Sequence, residues 1–173
     1  MDQDFLLIGK MRHGDEEAME LFVRKYYPQV LKYCSFHSGD TQCAEDLAQE
    51  TFLRFFRALA GYSCQGKSLN YLYTIARNLC VDTFREKWEV PMEGFSEPGE
   101  EKMTGIDERL ALESAMSKLP DELKEVVVLR FFQELRVKEI ARILGIGAPS
   151  VKYRLKKALA LLKQVLEEKE KKG

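Results

Sequence analysis

Between Ser150 and Lys157 the chain reads "SVKYRLKK". Ser150, Lys152, Tyr153, Arg154, Lys156 and Lys157 place a hydroxyl, a phenol, three ammonium groups and a guanidinium within a few positions of one another. This set is not arranged to break a bond. Ammonium and guanidinium groups neutralise phosphates, and they also donate to the edges of guanines. A related repertoire recurs upstream in "SLNYLYTIARNLCVDTFREKW". Projected at helical spacing, Tyr71, Thr74, Asn78, Val81, Asp82 and Arg85 gather on one side of this segment. An aromatic ring, hydrogen-bonding side chains, a carboxylate and a guanidinium on one face can stack on bases and bond to their edges. From periodicity alone, an ordinary solvated helix face is the alternative.

Other chemistries lack their residues. There is no Ser/His/Asp set, no pocket of paired carboxylates and no phosphate-cradling glycine loop, so no catalytic residue and no cofactor is expected. His13 and His37 have no motif around them. "CSFHSGDTQC" brings Cys34, His37 and Cys43 close in sequence, and zinc would need a fourth ligand such as Cys64. The spacing matches no standard zinc module, so no metal is expected and free thiols are the default.

The formal net charge of −1 hides a segregated pattern. Residues 136–163 carry eight basic side chains and one acidic one, whereas residues 89–108 carry one basic and seven acidic. Screening confines electrostatics to about 8 Å at physiological salt, so the basic block can face phosphates without the acidic strip cancelling it. No apolar run is long enough to span a membrane, and the acidic start does not resemble a signal peptide, so a cytoplasmic protein without membrane insertion is expected.

The elements that must position these residues are helical throughout. No alternating strand pattern occurs, and the expected class is all-α: two small helical domains, 1–88 and 108–173, joined by a flexible acidic linker at 89–107. In the first domain, Asp15 caps a helix with Ala18, Leu21, Phe22 and Tyr26 on its inner face, and Pro28 is expected to kink or split it. A second helix carries Ala44, Leu47, Ala48, Phe52, Phe55, Phe56 and Leu59. A third is capped by Ser68 and turns Leu69, Leu72, Tyr73, Ala76, Leu79, Cys80, Thr83 and Phe84 inward. In the second domain, "ERLALESAMSKL" and "LPDELKEVVVLRFFQEL" are each one helix, with Pro120 at or near the first turn of the latter. "RVKEIARIL" turns Val137, Ile140, Ala141 and Leu144 inward, "GIGA" is a turn, and Pro149 opens the last helix. That helix buries Val151, Leu155, Ala158, Leu159, Leu162 and Leu166 and presents Lys152, Tyr153, Lys156 and Lys157 outward, with Arg154 at the flank. The pair forms a helix-turn-helix whose second helix carries its cations in the first half, as docking in a major groove requires.

Three segments in this order resemble the bacterial sigma factors of the extracytoplasmic-function group, in the sigma-70 superfamily, which keep only the second and fourth sigma regions. "AEDLAQETFLRFFRAL" looks like the polymerase-binding helix, "SLNYLYTIARNLCVDTFR" like the minus-ten reader, and "LPDELKEVVVLRFFQELRVKEIARILGIGAPSVKYRLKKAL" like the fourth region. The resemblance implies an alternative sigma factor, not an enzyme. Its partners would be core RNA polymerase, through the clamp helices of the largest subunit and the flap of the second-largest, and promoter DNA, with an anti-sigma factor as regulator. It implies that Asp46, Gln49, Glu50 and Arg54 dock on the clamp. The loop 61–67, including Lys67, matches the family's pocket for a flipped minus-ten base. Tyr71, Asn78, Asp82 and Arg85 match the promoter-facing surface beside it. Lys152, Tyr153, Lys156 and Lys157 match the minus-thirty-five readers, while Ser150 and Arg154 contact phosphates. The alternative from the residues alone is a free-standing helix-turn-helix regulator.

The chain departs from the family's pattern at four places. Tyr71 stands where Trp is frequent, and Leu69 where Phe is. Ala148-Pro149 replaces the usual turn residues, and proline removes one N–H that could reach a phosphate. Tyr153 is bulkier than the residue often found there.

Overall fold

The computed structural model describes residues 3–63, 67–87 and 114–171. The acidic linker, Cys64 and the side chain of Arg85 lie outside the described residues. All regular elements among the described residues are helices, as the all-α reading expects. The chain divides into two compact units, Met1–Phe95 and Ser96–Gly173.

The first unit begins with a helix that periodicity does not announce, α1 (Gln3–Arg12). Ile8 and Met11 are buried, and so is the carboxylate of Asp4. That carboxylate accepts from Lys25 Nζ at 2.8 Å and from the Tyr26 hydroxyl, so the start of α1 is tied to its neighbour. The helix ends on Gly14, at φ +84°. Gly14 N–H bonds Met11 O at 3.0 Å and Asp15 N–H bonds Lys10 O at 3.2 Å, the paired bonds of a Schellman cap. Asp15 then accepts from Ala18 N–H at 3.1 Å and starts α2 (Glu16–Ser38), as its sequence position indicates. The space around Gly14 is open. Gly14→Ala is therefore expected to cost only the left-handed backbone penalty, about 1–2 kcal/mol, read as a lower urea midpoint.

α2 runs through Pro28 without being divided, contrary to a split there. The proline faces solvent, while Phe22 and Tyr26 before it and Val30 and Tyr33 after it are buried in the same core. Burial on both sides outweighs the one lost backbone bond. Leu21, expected inside, is exposed. Gly39 at φ +62° closes α2, and Asp40 caps α3 (Thr41–Ala58) by accepting from Gln42 N–H at 3.1 Å. The core is aromatic: Phe22 stacks on Phe55 at 4.8 Å and meets Tyr26 edge-on at 5.0 Å. A 3₁₀ turn, Leu59–Gly61, ends α3. α4 (Ser68–Lys87) packs against α2 and α3 through Leu72, Tyr73, Ala76, Leu79 and Cys80. Ser68 does not cap it. The serine is already helical, its hydroxyl is buried without a partner, and Asn70 N–H bonds Lys67 O at 3.1 Å instead.

In the second unit a helical stretch at 114–117 precedes Pro120, and the rest of the helix expected before Leu119 lies outside the described residues. Pro120 stands just before α5 (Asp121–Val127), and its carbonyl accepts from Leu123 N–H and Lys124 N–H, both at 3.0 Å. The segment read as one helix changes pitch here: Val128–Phe132 is a π turn, followed by Glu134 at φ +56°. Arg130 Nη1 bonds Leu135 O at 3.1 Å and secures the reversal. α6 (Val137–Leu144) is opened by Glu139, whose carboxylate accepts from Arg136 N–H at 2.8 Å, and closed by Gly145 at φ +66°. Ile140, Ile143 and Leu144 are buried, whereas Val137 and Ala141 are only half-covered. α7 (Ala148–Lys171) opens one residue before Pro149, not at it. Ser150 and Val151 N–H both bond Gly147 O, so the proline sits in the first turn, where an N–H has no intrahelical partner to lose. Val151, Ala158 and Leu162 are buried. Leu159, expected with them, is 46% exposed because it projects about 80° from Val151 and falls past the edge of the buried stripe.

Candidate nucleic-acid interface

On α7 the structure puts Ser150, Lys152, Tyr153, Lys156 and Lys157 in solvent, with Tyr153 65% exposed. The Lys157 ammonium lies 6.0 Å from the centre of the Tyr153 ring, within cation–π reach. Arg154 is different. Its guanidinium is half-covered and pairs with Glu122 of α5 at 3.9 Å. A groove of about 550 Å³ separates the starts of α5 and α7, lined by Pro120, Glu122, Pro149, Ser150, Tyr153 and Arg154. Lys157 also reaches this groove, whereas Lys152 and Lys156 do not line it. The exposed face thus carries net positive charge around a phenol, and one acid sits beside it.

On α4, Asn78 and Asp82 are exposed, and Lys67 is exposed just before the helix. Tyr71 departs from the expected outward position. It is half-buried, its ring stacks on Tyr62 at 4.8 Å with 29° between planes, and it meets Phe55 at 5.9 Å. Tyr62 in turn meets Phe55 at 5.3 Å. Tyr71 therefore belongs to a three-ring cluster anchored in the core, with one face already taken. Sequence reasoning covers Tyr62 only as part of the loop 61–67 and misses its stack on Tyr71, although an aromatic in "GYSCQGK", beside the aromatic start of α4, was the available signal.

On α3 the four expected residues form a continuous ridge. Asp46, Gln49 and Arg54 are exposed and Glu50 is half-exposed. Glu50 accepts from Arg54 Nε at 3.2 Å and lies 3.8 Å from Arg57. Burial pushes the Tyr27 phenol above its usual pKa, aided by the Glu45 carboxylate and the Cys34 thiol, while the Gln49 side chain acts the other way. Leu53, one turn from Gln49 and Glu50, is 50% exposed and adds an apolar contact that polarity patterning passed over.

Of the residues in the zinc alternative, Cys64 lies outside the described residues. Cys34 is buried and His37 packs on Tyr33 at 4.8 Å. Among the described residues no group of three or more His, Cys, Asp and Glu is placed to hold a metal ion. Nor is any described helix long and apolar enough to cross a membrane.

Comparison with known proteins places both units. The Sigma-70 region 2 profile matches residues 22–90, and the Sigma-70, region 4 profile matches residues 109–162. The RNA polymerase sigma factor YlaC of Bacillus subtilis is 30% identical over 89% of this chain and 94% of its own length. SigW of the same organism, an ECF RNA polymerase sigma factor, is 27% identical over 93% of this chain and 95% of its own. BldN of Streptomyces coelicolor, another ECF sigma factor, is 32% identical over 90% of this chain, which spans 64% of that longer protein. The fold is like that of CnrH, solved with the cytosolic domain of CnrY, at a TM-score of 0.77 and 21% identity over 96% of this chain and 99% of that one. It is also like that of RpoE from Bartonella quintana, at 0.71 and 18% identity over 86% of this chain and 96% of that one. With both regions matched in order, and with a relative at 30% identity matched over nearly its whole length, the chain belongs to the sigma-70 family, in its extracytoplasmic-function group of RNA polymerase sigma factors.

Proposed function

We propose that this sigma factor binds core RNA polymerase through the α3 ridge, reads the minus-thirty-five element with α7, and holds the minus-ten strand open with the surface around Tyr62, Tyr71, Asn78 and Asp82. The observation that carries the reading is the exposed group Lys152, Tyr153, Lys156 and Lys157 on the second helix of a helix-turn-helix in a two-region sigma chain. Asp46, Gln49, Glu50 and Arg54, with Leu53 beside them, offer a polar ridge with an apolar spot, suited to a pair of partner helices. The flap of the second-largest subunit would receive the fourth region. Lys67 and Arg85 extend the minus-ten surface, and Ser150 and Arg154 take phosphates. Capturing an extruded base costs a few kcal/mol of unstacking, which ring stacking and edge bonds offset. No catalysis is done on that base, and no cofactor is needed. The domains at 1–88 and 108–173 act as two readers joined through 89–107. The protein works in the cytoplasm, where its polymerase is. Control by an anti-sigma factor is part of the proposal, supported by the RpoE relative, which was solved with the anti-sigma factor NepR.

The test mixes the purified chain with bacterial core polymerase and fragmented genomic DNA and maps transcript starts. Promoter-specific starts that need both components are expected. Footprinting of duplex DNA by the chain alone, with no specific starts, would show a free-standing regulator instead; that reading leaves the α3 ridge without a task.

A further inference from the structure

The profile match to region 2 begins at residue 22, so α1 lies outside it. Yet α1 is bound to the rest of the first unit at both ends. At its start, buried Asp4 accepts from Lys25 and Tyr26 of α2. At its end, Arg12 reaches across to the segment that leads out of α3. Arg12 Nε donates to Leu59 O at 3.2 Å, and Nη2 of the same guanidinium donates to Tyr62 O. Those carbonyls bracket the 3₁₀ turn Leu59–Gly61, which carries the chain from the last turn of α3 to Tyr62. Leu59 O also accepts from Tyr62 N–H at 3.3 Å, so the charged fork adds a second donor there and reaches the carbonyl of Tyr62 just beyond the turn. The Schellman cap at Gly14 fixes the chain just beyond Arg12, so the fork is presented from a rigid support.

The position held this way is that of Tyr62. Its ring stacks on Tyr71 and meets Phe55. Moving the Tyr62 backbone would move the ring that orients Tyr71. We propose that Arg12 is a positioning residue for minus-ten opening: by clamping Leu59 and Tyr62 it sets the Tyr62–Tyr71 stack in the geometry that receives a melted base. The inference rests on the proposed reading of that surface as the minus-ten contact. A lysine at position 12 keeps the charge but offers one nitrogen where two separated carbonyls must be reached.

The test uses holoenzyme assembled from core polymerase and Arg12→Ala, Arg12→Gln, Arg12→Lys or Tyr62→Ala sigma, on a promoter found by the start mapping. Opening is followed by permanganate reactivity on the duplex promoter and on the same promoter with a pre-melted minus-ten segment. Arg12→Ala is expected to slow opening on the duplex about tenfold, the loss of a charge-assisted hydrogen-bond pair. Affinity for core, read by competition with labelled wild type, stays unchanged, and the pre-melted template restores the rate. Arg12→Lys stays defective, and Arg12→Ala combined with Tyr62→Ala is no worse than Tyr62→Ala alone. Arg12→Gln carries the same expectation should the alanine variant unfold at a lower temperature. A wild-type opening rate for the Arg12 variants beside a slow Tyr62→Ala removes the role of Arg12 and leaves the minus-ten reading intact. Additive defects, or an equal defect on the pre-melted template, overturn the positioning role as well. Wild-type opening by Tyr62→Ala would sink the minus-ten reading of this surface and the inference with it.

Discussion

Phe22→Ala is expected to destabilise the first unit by about 3–5 kcal/mol, a large share of the roughly 5–15 kcal/mol that holds a folded domain. Phe22 is fully buried, stacks on Phe55 at 4.8 Å, and meets Tyr26 at 5.0 Å and Phe52 at 6.3 Å, so one truncation removes the shared member of several ring pairs. Its neighbours come from both α2 and α3, and neither helix can close the cavity without leaving the other. Leu21, one position away and 49% exposed, is the control: its alanine variant should stay within about 0.5 kcal/mol of wild type. Urea denaturation followed by circular dichroism of the whole chain reads both. Equal small shifts for the two variants would mean the aromatic cluster does not hold the unit together.

The second large effect concerns binding. Replacing Lys152, Lys156 and Lys157 together by alanine should weaken promoter binding by the holoenzyme on the order of a hundredfold. It should also relax the minus-thirty-five preference and flatten the slope of log K against log salt by at most about 3, because three positive charges no longer displace counterions from the DNA. Affinity for core polymerase should not change. Asp46→Ala with Gln49→Ala should do the reverse, lowering core affinity while leaving the salt dependence of promoter binding as it was. These residues lie on elements of different units, α7 and α3, so the two sets should combine additively. Promoter affinity and minus-thirty-five preference both unchanged by the triple substitution would remove this face of α7 from the DNA interface. Loss of core affinity by both sets would end the proposed division of labour.

Features written in a local period were legible without the structure. Asp15 announces α2, Leu72, Tyr73, Ala76, Leu79 and Cys80 of the inward set of α4 are buried while Leu69 and Thr83 are half-covered, and the basic face of α7 stands in solvent. What failed depended on partners distant in the chain. α1 went unread because Ile8 and Met11 are too few to draw a stripe, and because Asp4 and Arg12 find their partners on α2 and after α3. Tyr71 looked like an open stacking platform since nothing in a helical projection shows that Tyr62 returns across the loop to cover one of its faces. Pro28 looked like a break because the local rule weighs one lost hydrogen bond and not the buried residues on either side. Of the candidate site, residue identities were readable but their environments were not: Tyr71 stacks on Tyr62, and Arg154 lies beside Glu122.

That last pair has a consequence for how promoter choice can drift. Under the proposed contacts, a phosphate must win the Arg154 guanidinium from a carboxylate already beside it. A change at Glu122 would remove the competitor while leaving every residue of the reading helix as it is. The grip of this factor on DNA can therefore be retuned by inheritance at a position that reads no base, and selection on promoter strength need not act on the recognition helix at all.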